Sequence, residues 1–226
     1  ARRYKQGYLA FDRQYGAGPF ESRFHPGQRR GLGVLGSPDG IHWTAIEPWA
    51  TQATCDGVTT WMWDPRRARY VLYGRTQHRA PETVAAWSPN DWYRAGNPRL
   101  WHWGRSVARA ESPDFVRWDY TAPASAPVVL TADARDPACT EFYSVMVFPY
   151  ESVYIGLLQN FRSSPDTCWI DIQLVVSRDT ASFTRVGDRA PFLPLGGLGE
   201  WDRFNHSLAN NPPLAVGDDL RFYYSG

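Results

Sequence analysis

The apolar positions of the chain fall in short alternating runs, and no segment sustains a 3.6-residue period. Arg3-Tyr4-Lys5-Gln6-Gly7-Tyr8, Arg69-Tyr70-Val71-Leu72-Tyr73, Val153-Tyr154-Ile155-Gly156-Leu157 and Leu220-Arg221-Phe222-Tyr223-Tyr224 are aromatic and aliphatic segments of strand length. The last three each follow a turn: Asp64-Pro65-Arg66-Arg67, Tyr150-Glu151-Ser152 and Val216-Gly217-Asp218-Asp219. Longer runs span Phe142 to Phe148 and Trp169 to Val176. The pattern predicts an all-β chain with very little helix.

A second pattern is interleaved with the first and repeats. Ser37-Pro38-Asp39-Gly40-Ile41-His42-Trp43 is matched by Ser112-Pro113-Asp114-Phe115-Val116-Arg117-Trp118 and, more weakly, by Ser177-Arg178-Asp179-Thr180-Ala181-Ser182-Phe183. Each reads Ser-x-Asp-x-x-x-aromatic. Asp at the third turn position can accept from the backbone two residues on, and the aromatic then packs beneath. The pieces predict one unit: strand A, a tight turn, strand B, a variable excursion, strand C, the Ser-x-Asp turn and a short strand D near the aromatic. Four-stranded antiparallel units repeated at this spacing predict a β-propeller. The expected division is strands B–D of a first blade over about residues 1–50, a second blade over about 55–120, a third over about 140–187 and the start of a fourth over about 202–226. That is about three blades of a domain that closes with four to eight, so the chain reads as a fragment lacking sequence at both ends. A two-sheet sandwich is the alternative.

Composition suits many short strands and loops, with 11 Trp, 12 Tyr and 11 Phe beside 18 Pro and 19 Gly. Aromatic faces also stack on sugar rings. The 24 basic and 23 acidic residues leave a net charge of +1, which gives no electrostatic case for nucleic acid or an anionic membrane as partner. No apolar run approaches the ~18 residues of a membrane-crossing helix. Cys55, Cys139 and Cys168 permit at most one internal disulfide and match no zinc motif. No signal peptide stands in the sequence; a secreted or periplasmic setting is the expectation.

The functional signal lies where each strand A begins. Cys55-Asp56-Gly57-Val58-Thr59, Cys139-Thr140-Glu141-Phe142-Tyr143 and Trp201-Asp202-Arg203-Phe204-Asn205-His206 each carry a carboxylate in the same relative place. Acidic residues favour loop ends in any case, but innermost propeller strands surround a channel, where such acids converge. Converging carboxylates suit glycosidic bond cleavage: one protonated acid assists the leaving oxygen, another acts as nucleophile or base, and a third supports them. Glu141 is the expected acid, because it leads into a strand of Phe, Val and Met and an apolar setting raises a carboxyl pKa. Asp56 and Asp202 are expected to stay ionised. Tyr143, Arg105, Arg203, His206 and Trp61 are the expected substrate contacts. Asp64, before Pro65, reads as a turn residue and stays outside the site. The excursion from Asn90 to Trp103 is either a packed loop core or a sugar-stacking wall. There is no Gly-x-Ser-x-Gly elbow, Walker loop, His-Glu-x-x-His or dinucleotide fingerprint.

Ser37 to Trp43, Phe142-Tyr143 through Val147-Phe148-Pro149-Tyr150, and Val186-Gly187-Asp188-Arg189 with Pro191-Phe192-Leu193-Pro194 resemble bacterial proteins related to the N-terminal domain of glycoside hydrolase family 32. Those belong to a wider five-bladed group that includes family 43. The resemblance implies a five-bladed β-propeller, three channel acids and furanosides or related sugars as substrate. It implies no organic cofactor, although some related propellers hold a structural calcium ion in the channel. Asp56 and Glu141 fall where the second and third blades would place their acids; a first-blade nucleophile or base would precede Ala1. The chain lacks a Trp-x-Asn-Asp-Pro-Asn-Gly motif and a Glu-Cys pair, which argues against fructan cleavage. The expected function is glycoside hydrolase-like cleavage of a poly- or oligosaccharide. The rivals are a non-catalytic carbohydrate-binding propeller and a protein-interaction platform.

Overall fold

The computed structural model describes residues 3–12, 21–22, 25–51, 59–77, 104–119, 127–137, 140–164 and 167–226. Among them every regular element is a strand, and all paired strands run antiparallel. In the first sheet β1 (Tyr4–Asp12) pairs with β3 (His25–Ser37), which also carries β2 (Glu21–Ser22) and β4 (Thr44–Thr51). The second sheet runs in the order β5 (Thr59–Asp64), β6 (Arg69–Gln77), β7 (Arg105–Ser112), β8 (Val128–Leu130). The third runs β9 (Thr140–Tyr150), β10 (Val153–Ser164), β11 (Thr167–Ser177), β12 (Phe183–Arg185), with β13 (Pro191–Leu193) also on β11. An interrupted hairpin follows, in which β14 (Ser207–Leu208) pairs with β17 (Tyr224–Ser225) and β15 (Leu214–Val216) with β16 (Asp219–Arg221).

The second and third sheets thus have the A-to-D order that the repeat predicts. Two elements differ from expectation. The fourth strand of the second sheet lies at β8, beyond the limit expected near residue 120, because Trp118 does not start a strand. Its ring is buried under the turn, 5.6 Å from both Phe115 and Trp61, where so large an apolar surface gains most. The run from Leu220 to Tyr224 is broken into two short strands, its register shifting between them.

Side-chain alternation along β9 explains how the sheets stack. Val145 and Val147 join Met62, Val71 and Tyr73 of the second sheet, while Met146 and Phe148 join Leu208 on the opposite face. Leu32 and Val34 of the first sheet meet Leu72, Ala110, Phe115 and Trp118. Middle sheets are therefore buried on both faces in serial order, which a two-sheet sandwich does not provide.

The three Ser-x-Asp turns share one hydrogen-bond scheme. The Ser hydroxyl oxygen accepts from the backbone N–H groups two and three residues on, as in Ser112 with Asp114 and Phe115 at 3.3 and 2.8 Å. The Asp carboxylate accepts from the next pair, as in Asp114 with Val116 and Arg117 at 2.9 and 2.8 Å. Ser37–Asp39 and Ser177–Asp179 repeat this. The fourth turn position is left-handed in all three, with φ of 82° at Gly40, 71° at Phe115 and 69° at Thr180. Glycine accepts that region freely, whereas Phe and Thr are strained there, at a cost of order 1–3 kcal/mol. Burial offsets it: Phe115 packs on Trp61, Tyr70 and Trp118, and Thr180 accepts from Tyr73 and Arg109 of the second sheet. Asp64 is likewise a turn residue, accepting from the Arg66 N–H at 3.0 Å and from the Tyr154 hydroxyl of the third sheet at 2.9 Å.

The turn carboxyls sit well below the usual carboxylate range. For Asp179 the Ser182 and Ala181 N–H groups are the cause; for Asp114 burial opposes the shift but the Arg117 and Val116 N–H groups outweigh it. A lowered folded-state pKa gives stability that is present above about pH 4 and lost as pH falls through the folded value. Asp114→Ala should cost about 1 kcal/mol at pH 7. The wild type should lose melting temperature below pH 4 more steeply than an Asp114→Ala/Asp179→Ala double variant, as read by calorimetry.

Candidate functional site

Glu141 opens β9, at the end of the third sheet where β10 finishes and β11 begins. Phe161 of β10 is paired both with Glu141 and with Ile170 of β11. The side chain of Glu141 is fully buried, at 0% exposure. Its Oε1 accepts from the Gly104 N–H at 2.9 Å and the Arg105 N–H at 3.5 Å, and its Oε2 accepts from the Arg105 guanidinium. Arg105 begins β7, so the acid of the third sheet is held by the second. The Arg105 guanidinium carbon stands 5.1 Å from the Phe161 ring centre and 5.7 Å from that of Tyr143, and Arg75 stacks on Tyr143 at 4.3 Å. Burial pushes the Glu141 carboxyl up to about 7, with the Arg105 charge and the two N–H groups holding it back. A carboxyl titrating near neutrality in a fixed orientation can hand over and take back a proton.

A buried polar row continues across the sheet. Asn160 donates to Asp171 at 3.0 Å, and Arg162 donates to Thr140 at 2.8 Å. Burial raises the Asp171 carboxyl. Asp171 is absent from the expected site; its signal was the alternation of Asp171 and Gln173 within an apolar strand. Beyond β11, Ile170 exchanges backbone hydrogen bonds with Phe204 and His206, each at 3.0 Å. His206 is also fully buried, its carbonyl accepting from Gln159 at 3.4 Å. Its ring lies edge-on to Tyr224, and its Nε2 is 3.5 Å from Asp202 Oδ2, too long for a good hydrogen bond. The Tyr224 hydroxyl donates to that same oxygen at 3.1 Å.

Asp202 belongs to the turn ahead of β14, and glycine holds it in place. Gly196 donates its N–H to the Asp202 carbonyl at 3.3 Å, and a Cβ at Gly196 would come 2.1 Å from Asp202 Oδ1. Sequence reasoning gave no sign of this, because the contact depends on how the loop folds back.

The expected residues therefore form two groups at one end of the sheets. Glu141, Arg105 and Tyr143 make the first; Asp202 and His206, with Tyr224, make the second. Three strand spacings separate Glu141 from the chain beside Ile170, roughly 14 Å of sheet. Arg203 lies over the Phe204 ring at 4.8 Å. Trp61 joins neither group: it packs on Phe115 and Trp118 in the interface of the first and second sheets, pressed against Gly7. Asp56, Cys55, Cys139 and the Asn90–Trp103 excursion lie outside the described residues; Cys168 is a free, exposed thiol. Among the described residues no group of three His, Cys, Asp or Glu side chains converges to hold a metal ion.

Glu141 gives a direct spectroscopic test. Difference infrared titration should show a carboxylic acid C=O stretch lost with a midpoint near pH 7, and the band should be absent in Glu141→Gln. Because the folded pKa lies above the unfolded ~4.3, this group favours the fold at low pH and costs stability as pH rises from about 4 through 7.

No protein-family model matches the sequence, and a search of curated proteins finds no match either. Solved structures do match. One described as a glycoside hydrolase has a TM-score of 0.55 at 14% identity, over 97% of this chain and 64% of its own. An N-acetylgalactosamine deacetylase from F. plautii, in complex with blood group B trisaccharide, has a TM-score of 0.53 at 17% identity, over 86% and 54%. A β-1,2-mannobiose phosphorylase from Listeria innocua has a TM-score of 0.51 at 16% identity, over 88% and 46%. Family 32 and family 117 glycoside hydrolases are among the further matches. The chain spans less than two thirds of the length of each of these structures, from 38% to 64%. The three likenesses with TM-scores above 0.5 bear on the fold alone, and that fold is of the β-propeller type.

Proposed function

We propose that the chain is part of a glycoside hydrolase-like five-bladed β-propeller, each sheet being one blade and the chain carrying about three, that cleaves an oligo- or polysaccharide. The observation that carries this reading is the buried Glu141 carboxyl, raised to about 7 and oriented by Gly104 and Arg105. Glu141 is the acid that protonates the leaving glycosidic oxygen. Asp56, three residues ahead of β5, is its partner carboxylate. The inner strands β5 and β9 are neighbours, joined where the Thr60 hydroxyl donates to the Val145 carbonyl at 2.6 Å. Asp202, with Arg203, contacts the sugar on the far side of the site, whereas His206, expected as a substrate contact, is fully buried behind Asp202. Solved relatives of this fold are named for a deacetylase, a hydrolase and a phosphorylase, two of them in sugar complexes, which supports carbohydrate as the ligand class.

A second reading has its own observation. Complete burial of Glu141 under Arg105 also suits a structural ion pair in a non-catalytic carbohydrate-binding propeller. One panel of arabino-, fructo-, agaro- and manno-oligosaccharides, with aryl glycosides for turnover, separates the two. In the enzyme, Glu141→Gln lowers kcat at least about 100-fold while the dissociation constant moves by no more than a few-fold. Sugar binding with no turnover in the wild type would leave only the binding reading standing.

A further inference from the structure

Glu141 has no oxygen to spare for a substrate in the arrangement that holds it. Oε1 faces the Gly104 and Arg105 backbone N–H groups, and Oε2 faces the Arg105 guanidinium. A protonated carboxyl must point its O–H at an acceptor, and a guanidinium has only donors. A proton on Oε1 would confront two amides fixed in the backbone at the head of β7. A proton on Oε2 confronts one side chain, which can swing. Oε2 is therefore the oxygen that can carry the acid proton, and Arg105 has to leave it before a glycosidic oxygen can take its place. Solvent already reaches 11% of the Arg105 side chain and none of Glu141.

An arginine drawn off a buried carboxylate needs another anion, because a desolvated charge without a partner is costly. Among the described residues the other acids at this end of the two sheets are taken. Asn160 donates to Asp171, and Arg185 and Arg189 hold Asp136 and Asp133. Asp56 has its own task as the partner carboxylate in the reading above. The Phe161 and Tyr143 rings beside Arg105 can guide a guanidinium across their π faces, but they neutralise no charge. The second anion is thus left to the ligand. A planar fork of N–H donors suits a carboxylate or a sulfate ester, each of which accepts two parallel hydrogen bonds.

We propose that Arg105 is a specificity residue that covers the acid: an anionic group on the glycan, a uronate carboxylate or a sulfate ester, draws its guanidinium off Glu141 Oε2, so that the chain acts on acidic glycans in preference to neutral ones. This rests on the hydrolase reading above, in which Glu141 is the acid.

The test compares each acidic ligand with its own neutral form: trigalacturonate with its methyl ester, and a carrageenan oligosaccharide with its desulfated form. Each is titrated by calorimetry against the wild type, Arg105→Gln and Arg105→Lys. The wild type should bind at least one acidic ligand roughly tenfold or more tightly than its neutral form. A preference in the first pair identifies a uronate, and in the second a sulfate ester. Arg105→Gln should reduce that preference to within about twofold, and Arg105→Lys, which keeps the charge but not the fork, should recover part of it. Difference infrared titration supplies a readout that a purely structural ion pair would not move. The saturating acidic ligand should shift the Glu141 midpoint upward from about 7 by roughly one pH unit or more, because the Arg105 charge no longer opposes protonation. The neutral form should leave it unchanged. This measurement needs only the wild type, so it decides even if Arg105→Gln fails to fold. No preference in either pair, a preference that survives Arg105→Gln, or a midpoint that ignores the acidic ligand would overturn the proposal. Failure of the wild type to bind either acidic ligand would overturn it too, while Glu141→Gln on aryl glycosides still judges the hydrolase reading.

Discussion

The structure depends on a constraint imposed by burying a sheet on both faces: polar side chains that cross between sheets need partners there, since an unpaired buried polar group costs on the order of 1–3 kcal/mol. The second and third sheets meet this at both ends. At one end Asp64 accepts from Tyr154, and Thr180 accepts from Tyr73 and Arg109. At the other, Arg105 reaches Glu141, and Arg185 and Arg189 bind Asp136 and Asp133. The apolar interface between them supplies most of the favourable free energy, and these pairs fix how one sheet is seated on the next.

The candidate acid is a by-product of that seating. Glu141 is not oriented by its own strand, which merely carries it to the edge of the sheet. Its position is set from the neighbouring sheet by the Arg105 guanidinium and the Gly104 and Arg105 N–H groups, while burial raises its proton affinity against their pull. A site made this way is only as precise as the packing of two sheets. The Asp202 group is arranged differently: a turn, a glycine contact and a tyrosine hydroxyl hold it, all within the last 31 residues.

Much of this was legible in the sequence, and the limits have physical causes. The Ser-x-Asp turns could be read because their hydrogen bonds are local: the side chain and the amides it satisfies lie within three residues. Strand order followed from them, and the turn role of Asp64 followed from its place before Pro65. Glu141 was visible as a carboxylate leading into an apolar strand, but its partner was not, because Arg105 lies 36 residues away and meets it only across a sheet interface. Asp171 was overlooked because a strand buried on both faces shows no solvent-facing side to compare it with. Trp61, an expected substrate contact, is directed by pleating into the interface with the first sheet, where Phe115 and Trp118 receive it. Trp118 misled for the related reason that an aromatic after a turn can equally start a strand or plug the turn.

The left-handed fourth position of the repeated turns bears on how the molecule comes apart. In two copies that position holds a side chain that locks onto its surroundings, Phe115 in an aromatic cluster and Thr180 in a hydrogen-bonded clasp on the adjacent sheet. In the first copy it holds Gly40, whose nearest neighbour for an added Cβ is the Tyr4 ring at 3.7 Å. The repeat therefore trades backbone ease against mechanical linkage, and it does so unevenly along the chain. Two of its copies behave as rivets, Phe115 in the interface with the first sheet and Thr180 on the second, and one as a plain bend.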